Sequence, residues 1–180
     1  MIDLYTWTTP NGRKVSVMLE ECALAHPEIT FGYTLEGSDI FHLSGRPIRK
    51  PAADFLARAQ GVLGKELFMP LSAAAARGDL KILAYLSPPD AIGYARNMQH
   101  WFVNRRPVQS RLLSQALYKA YEPYRAPNQH PYCLVFLELP PSRYDVNVHP
   151  AKREIRFQHE RDIFDALHDL FAKRLLEAKP

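Results

Sequence analysis

Residues 145–157 read DVNVHPAKREIRF. Asp145, Val146, Asn147 and Val148 alternate as a strand does, then His149 and Pro150 interrupt the pattern, and Lys152 follows. Proline cannot donate to a sheet ladder, so pairing stops there. A lysine just beyond such a break is either a solvated loop cation or a compact point charge held out toward an anion that the chain itself lacks. A second group of cations lies upstream. Residues 96–125 hold Arg96, Arg105, Arg106, Arg111, Lys119 and Arg125 against Glu122 alone, a local charge of +5 where the whole chain carries +4. A local excess of this kind is the footprint of a nucleic-acid surface; its plainer reading is a solvated face. Trp101, Tyr118 and Tyr121 lie among these cations and could stack on bases. They fall at apolar strand and helix positions, however, and are expected in the core.

The elements that must hold these groups belong to a globular chain. Its 180 residues are 47% apolar and 23% charged, with a pI near 9.1. That is enough for one sizeable domain with or without an appendage. Cys22 and Cys133 are far apart and both sit in apolar patterns, as buried thiols of a reducing compartment do. No CxxC occurs and the seven histidines lack ligand spacing, so no metal site is expected. No apolar run is long enough to span a bilayer and no leader pattern is visible, so the expected location is cytoplasmic, without membrane contact.

Apolar spacing predicts a strand over 2–7, a turn at 8–12 and a helix over 13–25. Strands at 31–36 and 39–43 flank a Gly-Ser turn as a hairpin. A helix over 51–64 begins with proline in its first turn. A half-buried strand is expected over 78–86, a loop over 87–97, a strand over 98–104, and a tight turn through Asn104–Pro107 into a second short strand. Ser110 caps a helix whose apolar face is Leu112, Leu113, Ala116, Leu117 and Ala120. YCLVFLEL at 132–139 is almost continuously apolar, which places it centrally in a sheet with both faces covered. DVNV and EIRF flank the HPAK interruption, and Ile163, Leu167, Leu170, Phe171 and Leu175 give a closing helix over 159–176. The irregular alternation indicates α+β with a mixed sheet.

Three of these stretches, LAHPEITF at 24–31, WFVNRRPVQSRLLSQAL at 101–117 and PYCLVFLELPPSRYDVNVHPAKREIRF at 131–157, resemble the MutL DNA mismatch-repair family. The resemblance runs over about residues 22–177 and is to the second domain of that family's N-terminal half. It implies a ribosomal-protein-S5-domain-2-like fold, a mixed sheet backed by helices, serving as a non-catalytic transducer and DNA-binding domain. It implies that Lys152 reaches the γ-phosphate of ATP held by a separate GHKL-type ATPase domain, with Asp145, Asn147, His149 and Pro150 shaping that motif. It also implies phosphate contacts to duplex DNA from Arg111, with Arg106 facing the same way and Arg105 adding a charge where many relatives have glycine. Gln109 stands where some relatives carry a further arginine. Mismatch-repair proteins are the implied protein partners, and the chain is expected to be monomeric. No N-box, glycine-rich lid, P-loop or metal-dependent nuclease segment is recognisable, so the chain is not expected to be an enzyme. ATP with magnesium is expected only with an ATPase domain supplied.

Residues 1–21, MIDLYTWTTPNGRKVSVMLEE, instead resemble the first strand, turn and helix of a bacterial glutathione S-transferase, an appendage in which Thr8, Thr9 and Asn11 would face the glutathione thiolate. One turn cannot bind a tripeptide, so transferase activity is not expected. The expected organisation is this appendage over 1–21, joined by fusion or rearrangement to a transducer domain over 22–177. An inert structural remnant or assembly module is the alternative to a DNA-binding role.

Overall fold

The computed structural model describes residues 21–26, 28, 30–35, 38–43, 45, 47, 49, 51–63, 70–95, 98–145 and 154–178. The chain divides into two compact units, residues 1–68 and 69–180. The division expected between residues 21 and 22 lies at the edge of the described residues. The predicted strand over 2–7, its turn, and Thr8, Thr9 and Asn11 lie outside them.

In the first unit, residues 21–25 are helical (α1). Strands β1 (Phe31–Leu35) and β2 (Ser38–Leu43) pair antiparallel, with a bulge between Tyr33 and Thr34. Helix α2 spans Pro51–Leu63. Its opening proline has no N–H to lose at a position where that N–H would be unpaired in any case. Arg58 of α2 is only 5% exposed, and its Nε donates to Ala23 O at 2.9 Å. Burial lowers the pKa of that guanidinium, and the bond to the α1 carbonyl satisfies a charge that would otherwise be costly inside.

The second unit is a five-stranded mixed sheet in the order β3-β4-β7-β5-β6, with two helices. Strands β3 (Leu71–Arg77) and β4 (Leu80–Leu86) form a residue-for-residue hairpin. Its turn is Gly78–Asp79, with Gly78 at φ +61°, a conformation glycine adopts without steric cost. The alternation expected from residue 78 therefore begins at Leu80. Strand β3 itself was not predicted by apolar spacing, because its sequence is LSAAAAR. Strand β7 (Cys133–Glu138) pairs antiparallel with β4 and parallel with β5 (Gln99–Val103), so the sheet is mixed and β7 is central, as its unbroken apolar run implied. Helix α3 spans Arg111–Ala120 and α4 spans Glu160–Glu177. Two-residue strands β8 (Tyr144–Asp145) and β9 (Arg156–Phe157) pair antiparallel beside the sheet, and a 3₁₀ turn at Pro141–Arg143 leads into β8.

Period two on the strands and period 3.6 on the helices meet in one core. Leu80, Ile82, Ala84 and Leu86 of β4, Trp101 and Val103 of β5, and Val135 and Leu137 of β7 point to one face. There they are buried with Leu113, Ala116 and Leu117 of α3 and Ile163, Leu167, Phe171 and Leu175 of α4. Leu113, Leu117, Leu167 and Leu175 are wholly enclosed; truncating any one to alanine costs about 2–5 kcal/mol. Trp101 packs on Phe171 with centroids 6.5 Å apart. Tyr121 is also enclosed, and its hydroxyl donates to Ser87 O at 2.6 Å. Burial raises its pKa, so the phenol stays neutral. Tyr118 is half-buried, its hydroxyl 2.7 Å from His130 Nδ1. The core positions expected for Trp101 and Tyr121 hold, whereas Tyr118 lies at the rim. Cys22 and Cys133 are free thiols; Cys133 is buried and its pKa raised by that burial. Among the described residues no helix is long and apolar enough to cross a membrane, and no group of three His, Cys, Asp or Glu is placed to hold a metal ion.

The sheet's second face carries Tyr85, Phe102, Leu134 and Phe136, all buried, with Phe102 and Phe136 stacked at 5.0 Å. His100 shares this face, paired in register with Leu134. Its Nε2 is shut off from solvent and unpartnered, and burial lowers its pKa from 6.5. The folded state thus holds His100 neutral while the unfolded chain protonates it. Stability present above pH 6.5 is lost as pH falls below that value. Chemical denaturation in steps from pH 7.5 to 5 should show a declining midpoint, by at most about 1.4 kcal/mol per pH unit for the one proton. His100→Leu should flatten that decline; an unchanged slope in the variant would exclude His100 as its source.

Candidate nucleic-acid interface

Of the cations singled out over residues 96–125, Arg96 lies outside the described residues and the other five divide into two groups. Lys119 is ion-paired with Glu122 three residues on, which holds the Glu122 carboxyl below its usual range. The Arg125 guanidinium lies 5.1 Å above the Tyr118 ring. These two serve the surface of α3 and its C-terminal turn, as the plainer reading of a charge run has it. Arg105, Arg106 and Arg111 are exposed and sit together along the chain where β5 turns back at the sheet edge and α3 begins.

The turn is a two-residue loop, because Val103 pairs with Arg106. Asn104 and Arg105 have φ of +47° and +66°. Positive φ at both central residues matches the right-handed twist of a hairpin and favours Asn-Gly. Asn104 suits the first position. Arg105 occupies the second against the steric preference of any residue with a Cβ, at about 1–2 kcal/mol. Arg106 begins β6 (Arg106–Pro107), an edge strand, where a proline without an N–H is tolerated.

Asn104 fastens this turn to the sheet. Its backbone N–H donates to Leu137 O at 2.8 Å. Its side-chain Nδ2 donates to Leu139 O at 2.8 Å and to the Tyr144 hydroxyl at 3.0 Å, while Oδ1 accepts from Leu139 N at 3.1 Å. Leu139 is 5% exposed. Without Asn104 both of its peptide groups would be left unpaired, at about 1–3 kcal/mol each. No motif in the sequence marks Asn104; its place in a tight turn is the one local signal, and its partners lie 35 and 40 residues away.

Arg111 is the first residue of α3. Ser110 caps the helix in extended conformation (φ −148°, ψ 126°) and its Oγ accepts from Leu113 N at 3.5 Å, the cap the sequence predicted. The first turn of α3 holds no acidic residue. A cation at a helix N-terminus opposes the helix dipole, so Arg111 is not placed there for helix stability. By contrast α4 opens with Glu160 and Asp162, the favourable arrangement. Arg111 lines a groove of about 850 Å³ with Gln109, Ser110, Glu154, Arg156 and Glu160, floored by Trp101, Val108 and Ile155. Gln109 and Glu154 form an isolated parallel bridge there. Arg156, unnoticed in the sequence, stands in this groove because β9 pairs with β8, Arg156 opposite Asp145. Asp145 is exposed. Lys152, Asn147, His149 and Pro150 lie outside the described residues.

A mixed five-stranded sheet with two helices on one face and an arginine-bearing hairpin at its edge defines an α+β domain. Among solved structures, the N-terminal domain of a DNA repair protein is 22% identical with a TM-score of 0.67 over 92% of this chain and 54% of its own. The Aquifex aeolicus MutL ATPase domain complexed with ADP gives 19% and 0.56 over 89% of this chain and 47% of its own. These likenesses establish the fold. Residues 59–176 match the family model described as DNA mismatch repair protein, C-terminal domain. DNA mismatch repair protein MutL of Pelodictyon phaeoclathratiforme is 35% identical over 159 residues, 88% of this chain and 24% of that protein. MutL of Rickettsia bellii is 36% identical over 154 residues, 84% of this chain and 25% of its own length. The chain belongs to the MutL DNA mismatch-repair family and spans about a quarter of the length of the curated relatives it matches.

The backbone cost at Arg105 is measurable. Arg105→Gly should raise stability by about 0.5–1 kcal/mol, the left-handed penalty less the extra chain entropy of glycine, as a higher urea midpoint with unchanged slope. A lower midpoint would mean that contacts of the Arg105 side chain outweigh its backbone strain.

Proposed function

We propose that this chain is a transducer domain that holds the backbone of duplex DNA on Arg105, Arg106 and Arg111, and presents Lys152 to the γ-phosphate of ATP bound, with magnesium, by a separate GHKL-type ATPase domain. The observation that carries the DNA-contact reading is Arg111. It is exposed at the first position of α3, in a first turn without any carboxylate, where its charge serves an external anion better than it serves the helix. Two exposed arginines on the neighbouring turn extend the same cationic edge. Contacts of this kind position a duplex without reading its sequence, which suits a protein that acts wherever a mismatch falls. Lys152 is a single ammonium, able to supply one charge and up to three hydrogen bonds to a phosphate; the ATPase domain would supply the remaining ligands. The proteins of the mismatch-repair pathway are the proposed partners.

Duplex affinity measured across salt concentration tests the DNA contact. The log–log slope should be roughly −2 to −3 for two or three neutralised phosphates. Arg111→Glu should weaken binding at low salt and flatten the slope by about 0.9 or more, while stability rises by a few tenths of a kcal/mol because a carboxylate now faces the helix N-terminus. Equal affinity in parent and variant would refute the contact.

A further inference from the structure

The arginine turn is tied to more than its own strands. The Asn104 amide donates at 3.0 Å to the hydroxyl of Tyr144, the first residue of β8. Tyr144 pairs with Phe157, which is 3% exposed in the core, and Asp145 pairs with Arg156, which lines the same groove as Arg111. Gln158 N donates to Arg143 O at 2.9 Å and closes the small β8–β9 ladder. Arg143, just before β8, is ion-paired with both Asp79 and Asp162, so the far end of the ladder is anchored to the β3–β4 turn and the start of α4. One side chain, Asn104, therefore joins two pieces of cationic surface that are distant in sequence: Arg105–Arg106 on the turn and Arg156 on β9.

We infer that Asn104 and Tyr144 are positioning residues that hold the arginine turn and the β8–β9 ladder in one register, and that Arg156 is a further contact to the same DNA backbone. This rests on the DNA-contact reading above. The chemistry of Tyr144 separates positioning from packing. Its ring lies against the core cluster, and its hydroxyl meets Asn104. Removing the hydroxyl spares the packing and cuts the link. Arg156 has the exposure and the rigid fork of donors that phosphate recognition needs, on a strand whose register is fixed by its pairing with β8.

The test uses the full chain, a short duplex, and the variants Tyr144→Phe and Arg156→Gln. In the parent, duplex should slow amide exchange both at the turn (residues 104–106) and in β8–β9. Arg156→Gln should lower affinity and flatten the salt slope by about 0.9, the share of one phosphate. Tyr144→Phe should keep its thermal midpoint within a few degrees, lose between about two- and tenfold in affinity, as the net worth of one hydrogen bond allows, and show no duplex-induced slowing in β8. Parent-like affinity, slope and exchange in Tyr144→Phe would overturn the positioning role, and an unchanged slope in Arg156→Gln would overturn the contact. A parent protein in which duplex slows exchange at the turn but not in β8–β9 overturns the link without recourse to either variant. A parent that binds no duplex at low salt overturns the DNA-contact reading itself, a separate outcome.

Discussion

The bond between the Asn104 amide and the Leu139 backbone is the constraint on which the interface depends. Strand β5 runs parallel to β7 and ends at Val103, opposite Leu137. Just past the end of β7 lie the peptide groups of Leu139, which is buried and has run out of strand partner on that side. The Asn104 side chain supplies the missing peptide: an N–H for Leu139 O and a C=O for Leu139 N. Aspartate has no N–H to give, and glutamine, one methylene longer, would have to fold back to match. The same residue must accept φ of +47°, which asparagine tolerates better than most. Ending the ladder and reversing the chain are thus one event, and that event fixes where the next two residues, both arginines, emerge.

Two local rules are broken within seven residues of sequence. Arg105 takes a glycine conformation, and Arg111 puts a positive charge at a helix N-terminus. Between and beneath them Val103, Val108 and Leu113 are all but fully buried, so the framework that carries the strain is rigid. Departures of this sort persist where surrounding structure over-determines the backbone, and they concentrate at functional sites. The contrast with α4 sharpens the point, since that helix satisfies its dipole with Glu160 and Asp162 and carries its longest run of buried side chains toward the sheet.

What was legible in the sequence followed from periodicity and from punctuation. The continuous apolar run of β7, the heptad-like spacing of α4, the Ser110 cap and the proline opening α2 each specify a local state by themselves. Strand β3 does not. Its alanines favour helix in isolation, and it is a strand because the Gly78–Asp79 turn folds it back onto β4; the Gly-Asp pair before an alternating run was the readable signal. The arginines were legible as charge, but only the family resemblance separated Arg111 from Lys119 and Arg125. Arg156 was missed because its importance arises from pairing across the HPAK interruption, and Asn104 because its bonds close between residues 35 and 40 positions apart. Long-range hydrogen bonds leave no local pattern.

The groove beside Arg111 constrains how a duplex could approach. Arg111 and Arg156 line it together with Glu154 and Glu160, so its charge is balanced, and a phosphate moved toward its floor would meet carboxylates as well as guanidinium groups. Arg105 on the turn likewise lines a shallow depression with Asp79, Lys81 and Glu138. On the DNA-contact reading, a backbone would follow the exposed side chains of Arg105, Arg106, Arg111 and Arg156 along the rim rather than descend to the groove floor. A rim track uses few phosphates, and few phosphates give a weak and strongly salt-dependent hold. On the DNA-contact reading, such a hold leaves a domain free to slide along a duplex until other parts of a larger assembly fix it in place.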